Sequence, residues 1–404
     1  MLTRQGWVVG VGAVVLLVAG RVFGLLELTV LGLVAVLLLA GALAVVHLAR
    51  LDVEIGRTVH PARIHVGAVG RVEITIRNRR AGHTPVLRLR DPVSGTRGAE
   101  LLVPPLERAE RTAAAYRLPT DRRGLLEIGP LDVVVGDPFG LASLSMNGAS
   151  RVGLTIYPHV DDIAPIPYTT GHDPLSGARQ PNSLGRTGED FYALRPYTVG
   201  DDLRRVHWPS SARSDELLVR QNELPWQGRT TVLLDTRTAG HSPASFELAV
   251  SAAASIITAT ARRSDLVRLV TTAGADSDFS PGSDHLEAIM EHLAVITTTG
   301  AGGLRRSIEL LSRGATGGAL IVVLAEASSE DLAATNRLLG RFGSLTIVRF
   351  DRSTWDPAAP IGTTGDDRAL VVTRETSFPA AWDAYVRSHT RGRGVSAAMA
   401  ARRR

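Results

Sequence analysis

The chain has 404 residues, enough for two or three domains with their own cores, and no cysteine, which excludes disulfides, cysteine-ligated zinc and cysteine nucleophiles. All 45 basic residues are Arg, against 40 acidic ones, for a net charge of +5. The lack of Lys points to a GC-rich genome, so the basic balance says little about partners. A nucleic-acid surface needs clustered basic residues interleaved with aromatics. Aromatics make up only 5% of the chain, and the one basic cluster is the tail at 391–404, so no nucleic-acid partner is expected.

Residues 7–48 are apolar almost without interruption, broken only by Arg21 and Glu27. Leu28 to Leu48 is 21 residues free of acidic and Arg side chains, about 31 Å as a helix, which matches the hydrocarbon thickness of a bilayer. Trp7 to Phe23 is shorter, about 25 Å, with Arg21 placed to snorkel to an interface. The spacing predicts a transmembrane helical hairpin over residues 1–50 that turns at Phe23–Glu27. A cleaved signal peptide is the alternative for the first span, but a second, longer apolar stretch follows at once. Arg4 precedes the hairpin and Arg50, Arg57 and Arg63 follow it. The positive-inside rule then places both ends in the cytoplasm. The expectation is a two-pass plasma-membrane protein with cytoplasmic soluble domains.

From Leu51 to about Pro158 apolar and polar residues alternate with period two. Arg71–Asn78 is the clearest case, joined by 51–55, 86–90, 113–118, 131–135 and 151–157. Gly, Pro and Asn or Asp punctuate these runs at short intervals, which predicts an all-β sandwich of seven or eight strands over 51–160. Asp137-Pro138-Phe139-Gly140-Leu141 reads as a turn whose Phe139 and Leu141 anchor it to the core. Residues 159–188 are rich in Pro, Gly, Ser and Asp and read as a linker or extended loop; with the segment that follows, the linker is expected over 161–228.

The stretch Arg186–Arg213 packs aromatic, acidic and basic residues more densely than any other part. Leu194, Arg195, Tyr197, Gly200, Asp201, Asp202, Arg204, Trp208, Ser211, Ala212 and Arg213 match the pattern LRxYxxGDDxRxIxWxxSAR. In this the chain resembles domain-of-unknown-function family 58, whose members carry a von Willebrand factor A-like domain behind that motif. Asp121–Pro130 and Asp137–Leu141 are similar to a second pattern of the family, RGxxxxGP…DPFGL. The resemblance is specific over residues 120–240. Proteins of this kind are bacterial and commonly encoded beside a MoxR-type AAA+ ATPase, sometimes with transglutaminase-like membrane proteins, which implies such an ATPase as partner.

After Gly228 strands and helices alternate: strands at 230–235, 266–271, 319–325, 345–350 and 369–373, and helices at 244–263, 284–296, 304–313, 329–342 and 378–388. That order predicts a doubly wound α/β domain over 229–390 with ligand sites at the carboxyl ends of its strands. The family's domain type implies a metal there, held by Asp-x-Ser-x-Ser, a Thr and an Asp. Asp235 fills the first position, but Arg237 and Ala239 stand where the serines would be, and Ala325-Glu326 replaces the later Asp. A hard cation needs several oxygen ligands, so no metal or other cofactor is expected, with Mg²⁺ at Asp235 as the open alternative. Either Arg237 takes the cation's place against Asp235 and Glu326, since a guanidinium fork suits carboxylates, or it is an exposed loop residue.

No nucleophile elbow, phosphate loop or His-rich metal pattern accompanies Asp201, Asp202 and His207, and His285 and His292 lack a third ligand. The favoured role of the dense motif is therefore structural: Arg195, Asp201, Asp202 and Arg213 in an ion-pair network, with Tyr197 and Trp208 packing the segment onto the α/β domain. The function expected is a membrane-anchored scaffold, not an enzyme, that docks other proteins at the rim near Asp235, Arg237 and Thr298–Gly303. The alternative is a metal-independent hydrolase built on Asp201, Asp202 and His207.

Overall fold

The computed structural model describes residues 2–48, 52–166, 191–197, 206–214, 216–222, 228–300, 302–313, 317–356 and 369–388. Helix α1 (Arg4–Phe23) is capped by Thr3, whose hydroxyl accepts from Gly6 N at 3.0 Å, and ends on Gly24 at φ 67°. Gly24 and Leu25 are all that separate it from α2 (Leu26–Leu48), a tighter turn than the sequence suggests. The two helices approach closely because each presents a glycine to the other. A Cβ on Gly20 would lie 2.4 Å from Thr29 Oγ1, and one on Gly32 would lie 2.7 Å from Leu17 Cγ. Both helices are long and apolar enough to cross a membrane, and most of their surface is exposed.

The chain divides into two units, Met1–His159 with Met290–Ile296, and Val160–Ile289 with Thr297–Arg404. In the first, ten strands follow the hairpin: β1 (Val53–His60), β2 (Ile64–His65), β3 (Arg71–Asn78), β4 (Leu87–Asp91), β5 (Ala99–Val103), β6 (Arg111–Arg117), β7 (Gly124–Ile128), β8 (Leu131–Gly136), β9 (Ser143–Ala149) and β10 (Val152–Tyr157). They form three sheets, ordered β1-β3-β6, β5-β4-β8-β9 and β2-β10-β7. Period-two patterning does the sorting: Val72, Ile74 and Ile76 of β3 are fully buried, as are Leu87, Ile128, Leu131 and Val133 in the same core. Four strands exceed the periodic runs of the sequence: β2, β5, β7 and β9. The first has only two residues, and β9 buries none fully, so neither carries an alternating pattern.

Inside this core Arg57 Nη1 meets Asp91 Oδ1 at 2.8 Å, with side chains 3% and 1% exposed, and Tyr116 OH donates to Asp91 Oδ2 at 2.7 Å. Burial, then the Asp91 carboxylate, pushes the Tyr116 phenol well up. Arg57 is thus a buried structural partner and not one of the free flanking charges that the sequence offers for membrane orientation.

In the second unit β11 (Phe191–Pro196) pairs antiparallel with β12 (Leu218–Asn222), and between them lies a single helical turn, α3 (Trp208–Ser211). The rest of the chain alternates: β13 (Arg229–Leu234), α4 (Pro243–Ala261), β14 (Leu266–Thr271), α5 (Ser283–Val295, of which Met290–Val295 belong to the first unit), α6 (Leu304–Arg313), β15 (Ala319–Leu324), α7 (Ser329–Asn336), β16 (Ser344–Phe350), β17 (Leu370–Val372) and α8 (378–388). All five strands of this sheet are parallel, in the order β14-β13-β15-β16-β17. The central β15 is buried at every residue, as a strand covered on both faces must be. Helix α4 is also long and apolar enough to span a membrane, but here it is mostly buried, with Ala249, Val250, Ala253 and Ile257 inaccessible to solvent.

Residues 160–166, expected to belong to a linker, are fastened to this unit. Asp161 N donates to Ser255 Oγ of α4 at 2.9 Å, Ala164 N to Asp383 Oδ1 at 3.2 Å, and Trp382 Nε1 to Ala164 O at 2.7 Å. Trp382 is 1% exposed and so serves as both core filler and clasp. Trp382→Phe, which keeps the ring but orphans the Ala164 carbonyl, is expected to cost about 1–2 kcal/mol, and Trp382→Ala about 3–5 kcal/mol. Denaturant unfolding of the detergent-solubilised chain measures both.

Candidate functional site

Strand order in the parallel sheet reverses between β13 and β15, and a crevice opens beyond their carboxyl ends. Asp235, the first residue after β13, is fully buried there, its own N–H bonded to Val323 O at 2.9 Å. Arg237 folds back onto it. Its Nε lies 2.9 and 3.1 Å from the two Asp235 oxygens, Nη2 lies 2.8 Å from Oδ2, and its backbone N–H reaches Oδ1 at 3.1 Å. Thr272, the first residue after β14, donates its hydroxyl to the same Oδ1 at 3.2 Å. Both carboxylate oxygens are therefore taken up by groups of the chain itself. The bonds to Asp235 push the Arg237 guanidinium further toward the charged form, against the opposing pull of its own burial.

The pair is tied outward to the other loops. Arg237 Nη2 donates to Glu326 O at 2.9 Å, and Nη1 lies 3.5 Å from Asp331 Oδ2. Residues 236–238 are laced to the next loop by Thr299 N→Thr236 O at 2.8 Å and Thr238 N→Thr299 O at 3.0 Å. Arg352, beyond β16, donates to Ala239 O at 2.8 Å and faces the Glu326 carboxylate at 3.5 Å. A cavity of about 700 Å³ of mixed polar and apolar lining adjoins this rim, lined in part by Arg237, Gly240, Glu326, Ser329, Asp331 and Leu332.

Asp235, Arg237, Ala239 and Glu326 thus come together, but not all as the sequence suggests. Glu326 meets Arg237 through its backbone carbonyl, because its carboxylate turns to Arg352. Ala239 contributes only a carbonyl. Sequence patterns missed Thr272, Asp331 and Arg352, although Thr272 and Arg352 each follow a parallel strand by one or two residues, where site residues of open α/β sheets gather.

His241 was also missed. It is 4% exposed, packs edge-on against Phe246 with ring centroids 5.5 Å apart, and neither ring nitrogen has a hydrogen-bond partner. Burial pulls its pKa below 6.5, Arg237 and Arg352 push the same way, and the Asp235 charge and carbonyl oppose them.

The dense motif is described only in part. Gly200, Asp201, Asp202 and Arg204 lie outside the described residues, as does the Arg195 side chain, and with them most of the expected ion-pair network. Tyr197 N donates to Leu217 O at 2.7 Å, and Ser211 Oγ accepts from Leu218 N at 2.8 Å, which fastens the motif to β12. His207 Nδ1 lies 2.8 Å from Ser210 Oγ. Ala212 and Arg213 are exposed. Trp208 does not pack as expected: it is 63% exposed, because it opens a single helical turn with Pro209 next to it. His285 Nε2 bonds to Val267 O at 3.0 Å, and among the described residues no three His, Asp or Glu side chains cluster as metal ligands.

Residues 193–351 match DUF58, a protein family of unknown function. The DUF58 match runs from the dense motif through β16 and so takes in the Asp235 site, and it leaves the hairpin and the ten-stranded unit outside. No curated protein matches the chain. Among solved structures, the CARDB domain of a Pyrococcus furiosus protein is 16% identical, over 26% of this chain and 92% of that one, at a TM-score of 0.21. A putative ApaA protein from Bordetella pertussis is 14% identical, over 26% and 94%, at 0.18. Beta-glucuronidase 2 of Bacteroides uniformis is 10% identical, over 76% and 34%, at 0.20. Likenesses at such scores assign neither fold nor activity.

Two outcomes follow from the geometry of the DUF58 region. Arg237→Ser strands a buried carboxylate and is expected to destabilise the chain by about 3 kcal/mol. Adding Asp235→Asn to that variant removes the stranded charge and restores part of the loss, a non-additivity readable in urea unfolding. His241 gives a pH dependence. The unfolded chain takes up its proton near pH 6.5 and the folded chain only at lower pH, so the contribution is complete above pH 6.5 and declines as pH falls below it. Melting curves are expected to show a smaller loss on acidification from pH 7 toward pH 5 for His241→Gln than for the wild type.

Proposed function

We propose that this chain is a two-pass membrane protein whose α/β unit, von Willebrand factor A-like in type, is a metal-independent docking module for other proteins. Its soluble parts face the cytoplasm. The observation that carries the proposal is the Asp235–Arg237 pair: at the place where a domain of that type holds a divalent cation, the carboxylate is already neutralised by a cation of the chain. Arg237 and Ala239 supply no hydroxyl, and both Asp235 oxygens are engaged, so these residues do not fit the oxygen shell of a hard divalent ion. An internal guanidinium cannot leave or be exchanged. It holds the loops after β13 and β15 in one arrangement, with a charged rim of Arg237, Glu326, Asp331 and Arg352 and a cavity beside it. A prearranged rim lowers the ordering cost of binding a partner. The cytoplasmic placement rests on Arg4, Arg50 and Arg63 flanking the hairpin. The resemblance names a MoxR-type AAA+ ATPase as the partner, with this protein as its adaptor or target in assembling or maturing other proteins.

Photo-crosslinking in native membranes tests this. A crosslinking amino acid at Ser329, on the rim, is expected to trap the ATPase, while one at Val69 in the β-rich unit is expected not to. Failure to trap any protein at Ser329, or turnover of a substrate by the purified chain that is abolished by His207→Ala, would overturn the docking role in favour of a hydrolase.

A further inference from the structure

The Asp137–Leu141 turn touches the hairpin, not the sandwich core alone. Thr3 donates its backbone N–H to Leu141 O at 2.9 Å and its hydroxyl to Gly140 O at 2.6 Å, and Leu141 and Ala142 pack on Ala42 and Val46 of α2. The turn is therefore level with the first turn of α1, beside Gly6 and just short of Trp7. Leu141, expected to anchor the turn to the core, is buried against α2 instead. Phe139, expected to do the same, is 65% exposed. It stands over a groove of about 400 Å³ between the turn and α2, lined by Val34, Leu37, Gly41, Val45, Pro138 and Phe139 among others.

Two features suit this groove to hydrocarbon. Its floor is a membrane-length helix, and Val34 to Val45 covers about 16 Å of helical rise, so the groove runs along the span from its interfacial end toward the middle of the bilayer. The turn above it is also ready for a low-dielectric setting, where unpaired backbone groups are costly. Asp137 is 7% exposed, and its carboxylate accepts the N–H groups of Phe139 and Ala142. Gly140 N bonds to Asp137 O at 3.1 Å, Asp137 N to Ala142 O at 3.1 Å, and Pro138 has no N–H to satisfy. Phe139 and Trp7 are both exposed, one on the turn and one in the first turn of the helix that the turn touches, and exposed aromatic side chains at the end of a membrane-length helix are found at membrane interfaces.

We propose that the Asp137–Leu141 turn dips into the bilayer with Phe139 inserted, and that the groove between it and α2 binds a phospholipid acyl chain lying along the helix. The absence of cysteine makes the test direct. Phe139→Cys in the full chain carries a bimane fluorophore in nanodiscs of phosphatidylcholine and phosphatidylglycerol, and Val69→Cys, exposed in the same unit, is the reference. Phosphatidylcholine with a nitroxide on its acyl chain is expected to quench the label at 139 several-fold more than the label at 69, and more than headgroup-labelled lipid does. Gly41 lines the groove, and a Cβ added there meets nothing within 4 Å. Gly41→Phe should therefore fill the groove without displacing protein and should lower the acyl-chain quenching at 139 markedly. Quenching at 139 no greater than at 69, or quenching by acyl-chain nitroxide that Gly41→Phe leaves unchanged, would overturn the proposal.

Discussion

A carboxylate with no access to water sits at the reversal point of the parallel sheet, and the surrounding loops are arranged to satisfy it. Removing a carboxylate from water costs several kcal/mol unless a partner and hydrogen bonds replace the lost hydration. Asp235 recovers this from Arg237 and Thr272, both within 3.2 Å of its oxygens. Because the Arg237 fork is planar and also reaches Glu326 O, the compensation fixes the loop after β13 against the loop after β15. Arg352 repeats the arrangement one strand further on, bridging Ala239 O and the Glu326 carboxylate. The rim is thus held by charge neutralisation, and its geometry follows from one buried acid.

At the other end of the chain the constraint is steric. A Cβ on Gly6 would lie 2.1 Å from Leu141 O, so only glycine lets the start of α1 press against the turn. The same close approach brings Thr3 within bonding distance of Gly140 and Leu141. Through these contacts the hairpin and the strands that follow it belong to one unit, and the first few residues of the chain tie the hairpin to the turn after β8.

Most of the architecture was legible in the sequence, for identifiable reasons. Apolar length betrayed the hairpin, and period-two burial betrayed β3, β4 and β8. An uninterrupted apolar run betrayed β15, a strand covered on both faces, and the run Val232–Leu234 before Asp235 betrayed β13, which also buries Thr230 and Thr231. Strands β2, β5, β7 and β9 escaped, being too short or too weakly alternating. The Asp235–Arg237 pairing was legible because two residues apart on one loop is a distance that a guanidinium spans. Thr272, Asp331 and Arg352 come from separate loops, and only the sheet brings them together. Phe139 was misjudged because hydrophobicity signals burial without saying whether the burying medium is protein or lipid.

Asp137 and Asp235 solve one problem in two ways. Each is a nearly inaccessible acid directly after a strand, where the chain must turn and expose backbone groups. Asp137 takes the N–H groups of residues two and five positions on, so the acid and the turn satisfy each other without an external cation. Asp235 takes the backbone N–H two positions on as well, but the same residue, Arg237, also folds its side chain back. The difference lies in what remains exposed. Around Asp137 the residues left at the surface are apolar, Pro138 and Phe139, and the turn can leave water. Around Asp235 they are Arg237, Glu326 and Asp331, and the rim stays in water with its charges fixed in place. One carboxylate thus prepares a surface for hydrocarbon and the other a surface for polar contact, and the residue two positions after each aspartate, Phe in one case and Arg in the other, decides which.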